Sequence, residues 1–167
     1  MKATYVLSLL LILITIGASA QVKKGDNVKN ASLGRFEGTY VWSQGTDTVT
    51  IYLRKENIEI MKDIRSDVLI GFHKYVKNGH IIESSYEYRK TNYAEKHSTI
   101  LILNRNESNT LEGILKDLTK KKSLNIELEY SPASKSMTMK LSNREGVSIG
   151  MKQSGFTLPQ HITLKRQ

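Results

Sequence analysis

Cysteine is absent from all 167 residues, which removes disulfides, thiolate metal ligands and sulfur nucleophiles at once. Proline occurs only at Pro132 and Pro159. Neither proline nor the glycine and serine positions gather into a linker, so one continuous domain is expected rather than two joined by a hinge. Tryptophan occurs once, at Trp42. Beyond the first 20 residues no stretch carries the 3.6-residue apolar period of a packed helix. Acidic residues are outnumbered, 16 Asp and Glu against 25 Lys and Arg, for a formal charge of +9. With no covalent staple, stability must come from packing and strand pairing.

What is present begins with a targeting pattern. Lys2, an apolar run from Val6 to Ile16 and the small residues Gly17, Ala18, Ser19 and Ala20 read as a secretory signal peptide, too short in its apolar part to span a bilayer comfortably. Cleavage is expected after Ala20. No cysteine follows, so the exported chain, periplasmic or secreted, carries no bacterial lipid anchor and no membrane span. The rest divides into a flexible segment at 21–35 and a single domain at 36–167.

That domain is organised around the stretch from Phe36 to Leu53. A two-residue turn at Gly45 and Thr46, type II′ because Gly comes first, places Trp42 opposite Val49 and Tyr40 opposite Ile51 on one apolar face. A short strand from Asn57 to Met61 and a polar turn from Lys62 to Ser66 follow. Asn78-Gly79 then predicts a type I′ hairpin between Asp67–Lys77 and His80–Lys90. Counting outward pairs Lys74 with Glu83 on the wet face. The other face collects Leu69, Gly71, His73, Tyr75, Ile82, Ser84, Tyr86 and Tyr88, although Ile70, Phe72, Val76 and Ile81 leave open which face is buried. Further strands are expected near Ser98–Leu103, Leu111–Leu118, Leu124–Tyr130, Met137–Leu141 and Ile162–Leu164. The pattern is all-β: an antiparallel up-and-down barrel of about eight to ten strands, with an open β-sandwich as the alternative.

The aromatic, hydroxyl-rich face suits a ligand cavity, and Tyr40, Trp42, His73, Tyr75, Tyr86 and Tyr88 are its candidate lining, with a small, partly apolar molecule as the ligand. The charge excess lies at the two ends of the chain, +3 over residues 21–36 and +5 over residues 132–167. In a closed barrel these ends are neighbours. Lys23, Lys24, Lys165 and Arg166 are therefore the candidate basic surface for an anionic envelope polymer or partner protein. Aromatic and basic residues are not interleaved as a nucleic-acid surface requires.

Catalysis finds little support. Gly146-Val147-Ser148-Ile149-Gly150 matches G-x-S-x-G, but no Asp or Glu follows Glu145, and a nucleophile elbow needs a helix behind it and an acid and a His downstream. His73, His80, His97 and His161 have no metal-ligand spacing, so no metal or cofactor is expected, and Glu83 and Glu87 read as surface carboxylates. Asn30-Ala31-Ser32 and Asn106-Glu107-Ser108 match the glycosylation pattern. The chain is read as a non-catalytic monomer.

Three motifs carry a resemblance: Phe36-x-Gly38-Thr39-Tyr40, Gly71-Phe72-His73-Lys74-Tyr75-x-x-Asn78-Gly79, and Phe156-x-Leu158-Pro159-x-x-Ile162-x-Leu164. Together they resemble a family of exported flavobacterial proteins known as a domain of unknown function, over nearly all of the mature chain. The resemblance implies export and a compact β-fold, and no activity. Gly38-x-Tyr40 with Lys165 or Arg166 is also similar to the lipocalin pattern of G-x-W closed by a terminal arginine, with Tyr in place of Trp.

Overall fold

A computed structural model describes residues 23–103, 108–144 and 154–167. The signal segment at 1–20, the G-x-S-x-G motif at 146–150 and residues 106 and 107 of the second glycosylation pattern lie outside the described residues. The strands are β1 (Asn27–Val28), β2 (Gly38–Gln44), β3 (Asp47–Met61), β4 (Ile64–Lys77), β5 (His80–Ser84), β6 (Ile100–Ile102), β7 (Thr110–Asp117), β8 (Lys122–Ser131), β9 (Ser136–Asn143) and β10 (His161–Arg166). Three short 3-10 turns, Ala31–Phe36, Tyr86–Tyr88 and Tyr93–Glu95, are the only helical pieces among the described residues.

Eight strands form a closed antiparallel barrel. They run β2-β3-β4-β6-β7-β8-β9-β10, and β10 returns to pair with β2. Closure excludes the open sandwich and leaves no free edge in the ring. The founding hairpin has the register expected from its turn, Trp42 against Val49 and Tyr40 against Ile51. Gly45 has φ +59 and Thr46 has no positive φ, as a type II′ turn requires. Inward positions from the eight strands make one core, with Tyr40, Val49, Ile51, Leu53, Leu69, Leu115, Leu128 and Met139 among its buried members.

The long hairpin departs from the expected layout in two places. Asn57 to Met61 is not a separate strand but the end of β3, because the turn to β4 is only Lys62 and Asp63, the latter at φ 63. At the other end, β5 stops at Ser84. A bulge between Tyr75 and Val76 shifts its register by one, so Tyr75 faces Glu83 and Lys74 faces Ser84. Since a one-residue slip moves side chains to the opposite face, Glu83 turns inward and is not a surface partner of Lys74, and Ile82 turns out to solvent. Ser84 Oγ then accepts from Tyr86 N at 3.2 Å and donates to Glu87 Oε2 at 2.6 Å, closing a turn where further strand was expected.

β4 is buried on both faces. Leu69, Gly71, His73 and Tyr75 face the interior. Val68, Ile70 and Phe72 form a second cluster outside, with Ile58, Tyr52 and Tyr93. The segment between β5 and β6 covers that cluster, held by Arg54 at the Thr91 carbonyl and by Glu56 Oε1, which accepts from Tyr93 N at 2.9 Å.

The two ends of the barrel are closed by different means. At the base the 3-10 turn Ala31–Phe36 inserts Leu33 and Phe36, both fully buried. Tyr40 Oη donates to Phe36 O at 3.0 Å, Tyr130 meets the Phe36 ring edge-on at 5.6 Å, and Arg166 donates to Glu37 O at 2.6 Å. Arg166 lies across Gly38, whose φ of +136 and lack of Cβ leave room for the guanidinium. At the opposite end, the mouth, the segment 154–158 lies over the opening and inserts Leu158 into the core.

Candidate functional site at the barrel mouth

Strand register lays two rows of inward side chains beneath the mouth. In the outer row Trp42 faces Val49, Val49 faces Tyr75, and Tyr75 faces Glu83. One step deeper lie Tyr40, Ile51 and His73. Trp42 is half-buried and packs on the core together with Phe156.

His73 is sealed from solvent, with both ring nitrogens engaged: Nε2 to Glu83 Oε1 at 2.8 Å and Nδ1 to Thr99 Oγ1 at 2.8 Å. Thr99 Oγ1 also meets Ser85 Oγ at 2.9 Å. The remaining carboxylate oxygen of Glu83 accepts from Thr119 N at 2.8 Å and from Thr119 Oγ1 at 2.7 Å. A neutral imidazole donates from Nε2 to the carboxylate and accepts at Nδ1 from the Thr99 hydroxyl; an imidazolium donates from both nitrogens, and Thr99 turns its hydrogen to Ser85. The network therefore leaves no polar atom of the His73 and Glu83 side chains without a partner, as burial of such groups requires.

Asp117, nearly fully buried, ties the mouth segment down. Its carboxylate accepts from Thr157 N at 2.9 Å, Thr157 Oγ1 at 2.7 Å and Lys120 N at 2.8 Å. Lys120 Nζ donates to Ser154 O at 2.6 Å and Lys122 Nζ to Gly155 O at 2.5 Å, and Lys122 Nζ lies 5.0 Å from the Phe156 ring centre. Burial, then the nearby Asp47 carboxylate, raises the Tyr75 phenol above its ordinary value. Burial likewise pushes Tyr40 up to about 12, against the pull of Arg166.

The family match covers residues 1–167, and the family is described as a family of unknown function, DUF6705. The chain belongs to that family. No curated protein and no solved structure matches it significantly.

The six candidate lining residues do not share one cavity. Trp42 and Tyr75 share the outer row on either side of Val49 and His73 lies one step deeper, whereas Tyr40 turns its hydroxyl to the base, where the Phe36 carbonyl accepts it. Tyr86 and Tyr88 lie in the 3-10 turn beyond β5, outside the barrel, where Tyr88 stacks on His97 at 4.1 Å and Arg89 lies over the Tyr86 ring. The four basic residues separate as well. Lys165 and Arg166 pair with Val41 and Tyr40, while Lys24 contacts Asp63 at the far end of the β3–β4 hairpin. That is roughly 30 Å away at about 3.3 Å per strand residue. The N-terminal segment pairs with β4 through β1, so Lys23 and Lys24 stay away from the β10 seam, whereas Arg35 at its end meets it, its carbonyl accepting from Arg166 Nη1 at 3.4 Å. A cavity of 840 Å³ lies outside the barrel on β6 to β9, between Leu101, Leu103, Ile114, Glu127 and Lys140.

Ser85, Thr99, Asp117 and Thr119 escaped the sequence reading, and Glu83, expected at the surface beside Lys74, lies inside on His73. Asp117 had a signal, since Asp opening a turn accepts the N–H three residues on. For Glu83 nothing marks the bulge that turns it inward. Among the described residues no group of three His, Asp or Glu side chains is placed to hold a metal.

Proposed function

We propose that the chain is an exported, non-catalytic binding protein whose barrel admits a small, partly apolar molecule through the mouth, between Trp42, Tyr75 and Phe156. Export rests on the pattern of residues 1–20. One observation carries the binding reading: the ends of the barrel are closed unequally. The base is plugged by two fully buried apolar side chains and roofed by Arg166. At the mouth, hydrogen bonds to the Asp117 carboxylate and from Lys120 and Lys122 hold a short segment over the opening. An eight-stranded barrel has an interior of the size that either side chains or one small ligand fill. Displacing Phe156 and Leu158 would expose an apolar wall with a polar pair at its edge, the usual composition of such a site. The lipocalin-like placement of Arg166 over Gly38, beside Tyr40, accords with this reading. The non-catalytic part rests on His73 and Glu83, whose polar atoms are all occupied by the protein itself.

The test uses Trp42, the single tryptophan, as an internal reporter. Titration with oleate is expected to shift its emission saturably, and the shift is expected to strengthen in Asp117→Asn, where the mouth segment is held less tightly. Unchanged emission in both proteins, with no oleate adduct in native mass spectrometry, would remove the proposal.

A further inference from the structure

The mouth carries a second feature on its outside. Between Lys116 and Lys122 the chain reads Lys-Asp-Leu-Thr-Lys-Lys-Lys, and the single acid, Asp117, is buried and committed to Thr157. Lys116 and Lys121 are exposed. At the tip of the same turn Leu118 is 38% exposed. The Thr119 hydrogen bonds to Glu83 set this turn beside β5, where Ile81 is 61% and Ile82 42% exposed. Half of the six exposed large apolar side chains among the described residues thus gather at one end of the barrel, among lysines. Lys77 and His80 extend the exposed rim, where the half-buried Asp47 carboxylate accepts from Asn78 N at 2.8 Å.

We propose that this rim docks the protein on an anionic membrane surface, with Leu118, Ile81 and Ile82 entering the headgroup layer and Lys116 and Lys121 facing lipid charge. Charge complementarity alone would suit any polyanion. The apolar side chains select lipid, because a bilayer rewards their burial whereas a hydrated acidic polysaccharide leaves them in water. The inference stands independently of a ligand inside the barrel.

The experiment is co-sedimentation of the mature chain with vesicles of phosphatidylcholine containing phosphatidylglycerol, against pure phosphatidylcholine vesicles and soluble polygalacturonate. Binding to the anionic vesicles is expected, weakening as salt rises from about 0.1 M to about 1 M and the screening length falls from about 10 Å to about 3 Å. Lys116→Gln with Lys121→Asn should cost about 25-fold in affinity, about fivefold per lysine near the surface. Asn suits the positive φ at position 121, so folding is spared. Leu118→Ser should weaken vesicle binding severalfold. A pair at the remote hairpin tip, Lys23→Gln with Lys24→Gln, should leave binding unchanged. Failure to sediment with anionic vesicles, equal binding to phosphatidylcholine, binding to polygalacturonate alone, or an equal loss from the Lys23 and Lys24 pair would each overturn the assignment.

Discussion

Replacing Glu83 with alanine removes the acceptor for His73 Nε2, which water does not reach, and for both donors of Thr119, which lies on the exposed turn. Deleting one member of a buried pair costs about 3–5 kcal/mol, because the partner left behind, here His73, stays desolvated and unpaired. That is a large share of the roughly 5–15 kcal/mol by which a domain is stable. Urea unfolding followed by Trp42 emission measures it directly. With an m value of about 2 kcal/mol/M, a loss of about 4 kcal/mol lowers the midpoint by about 2 M. Glu83→Gln is the informative intermediate. Its amide keeps an oxygen for His73 but turns a donor toward the Thr119 N–H, for a penalty of about 1–3 kcal/mol. Lys74→Ala serves as the control and should change stability by less than about 0.5 kcal/mol, as surface substitutions do. Equal small effects from Glu83→Ala and Lys74→Ala would refute the reasoning, since they are what an unbulged hairpin with a surface Lys74–Glu83 pair would give.

Two further outcomes follow from packing and charge. A Cβ on Gly71 would lie 2.7 Å from Leu53 Cδ2 and 2.9 Å from Ile100 Cβ, so Gly71→Ala should cost about 1–3 kcal/mol through overpacking, and in a thermal melt its combination with Leu53→Ala should lose less than the sum of the two single losses. Asp67 anchors the base cap by accepting from Asn30 N at 3.0 Å and Asn57 Nδ2 at 2.8 Å. Burial works to raise its pKa, but these hydrogen bonds and the Lys55 charge outweigh it and hold the carboxyl below its ordinary value. A group whose folded value is depressed stabilises the fold fully above the unfolded value, near 4, and the contribution disappears as pH falls through the folded value. Wild type should therefore lose stability more steeply than Asp67→Asn in acid unfolding below about pH 4, and parallel curves would count against the carboxylate's role.

Local chemistry accounts for much of the fold. Gly45-Thr46 and Asn78-Gly79 demand particular backbone angles, the alternation of Leu124, Ile126, Leu128 and Tyr130 has only one face to bury, and the register of Trp42 on Val49 needs nothing more than the turn between them. The mouth was only partly legible. His73 and Tyr75 follow from strand parity, but their partner Glu83 depends on one extra residue in β5, whose energetic reason lies across the barrel in Thr119 and Thr99. Tyr86 and Tyr88 were misplaced for the same reason, since parity carries no information past a bulge. The basic surface misled differently. The first strand of the ring does close on the last, β2 on β10, yet Lys23 and Lys24 precede the ring beside Asn27 and Val28, which pair with β4 instead.

The sequence by itself determined an all-β chain without disulfides, the turns that set its hairpins, and the parity of the side chains that fill it, because these depend on residues close along the backbone. Only the tertiary structure decided that the sheet closes at eight strands, that Glu83 faces His73 from within, that Asp117 holds the mouth segment, and that Leu118 comes to lie beside Ile81 and Ile82 among lysines. Each of these joins residues far apart in the chain, and no local preference records which distant partner offsets the cost of burying a charge.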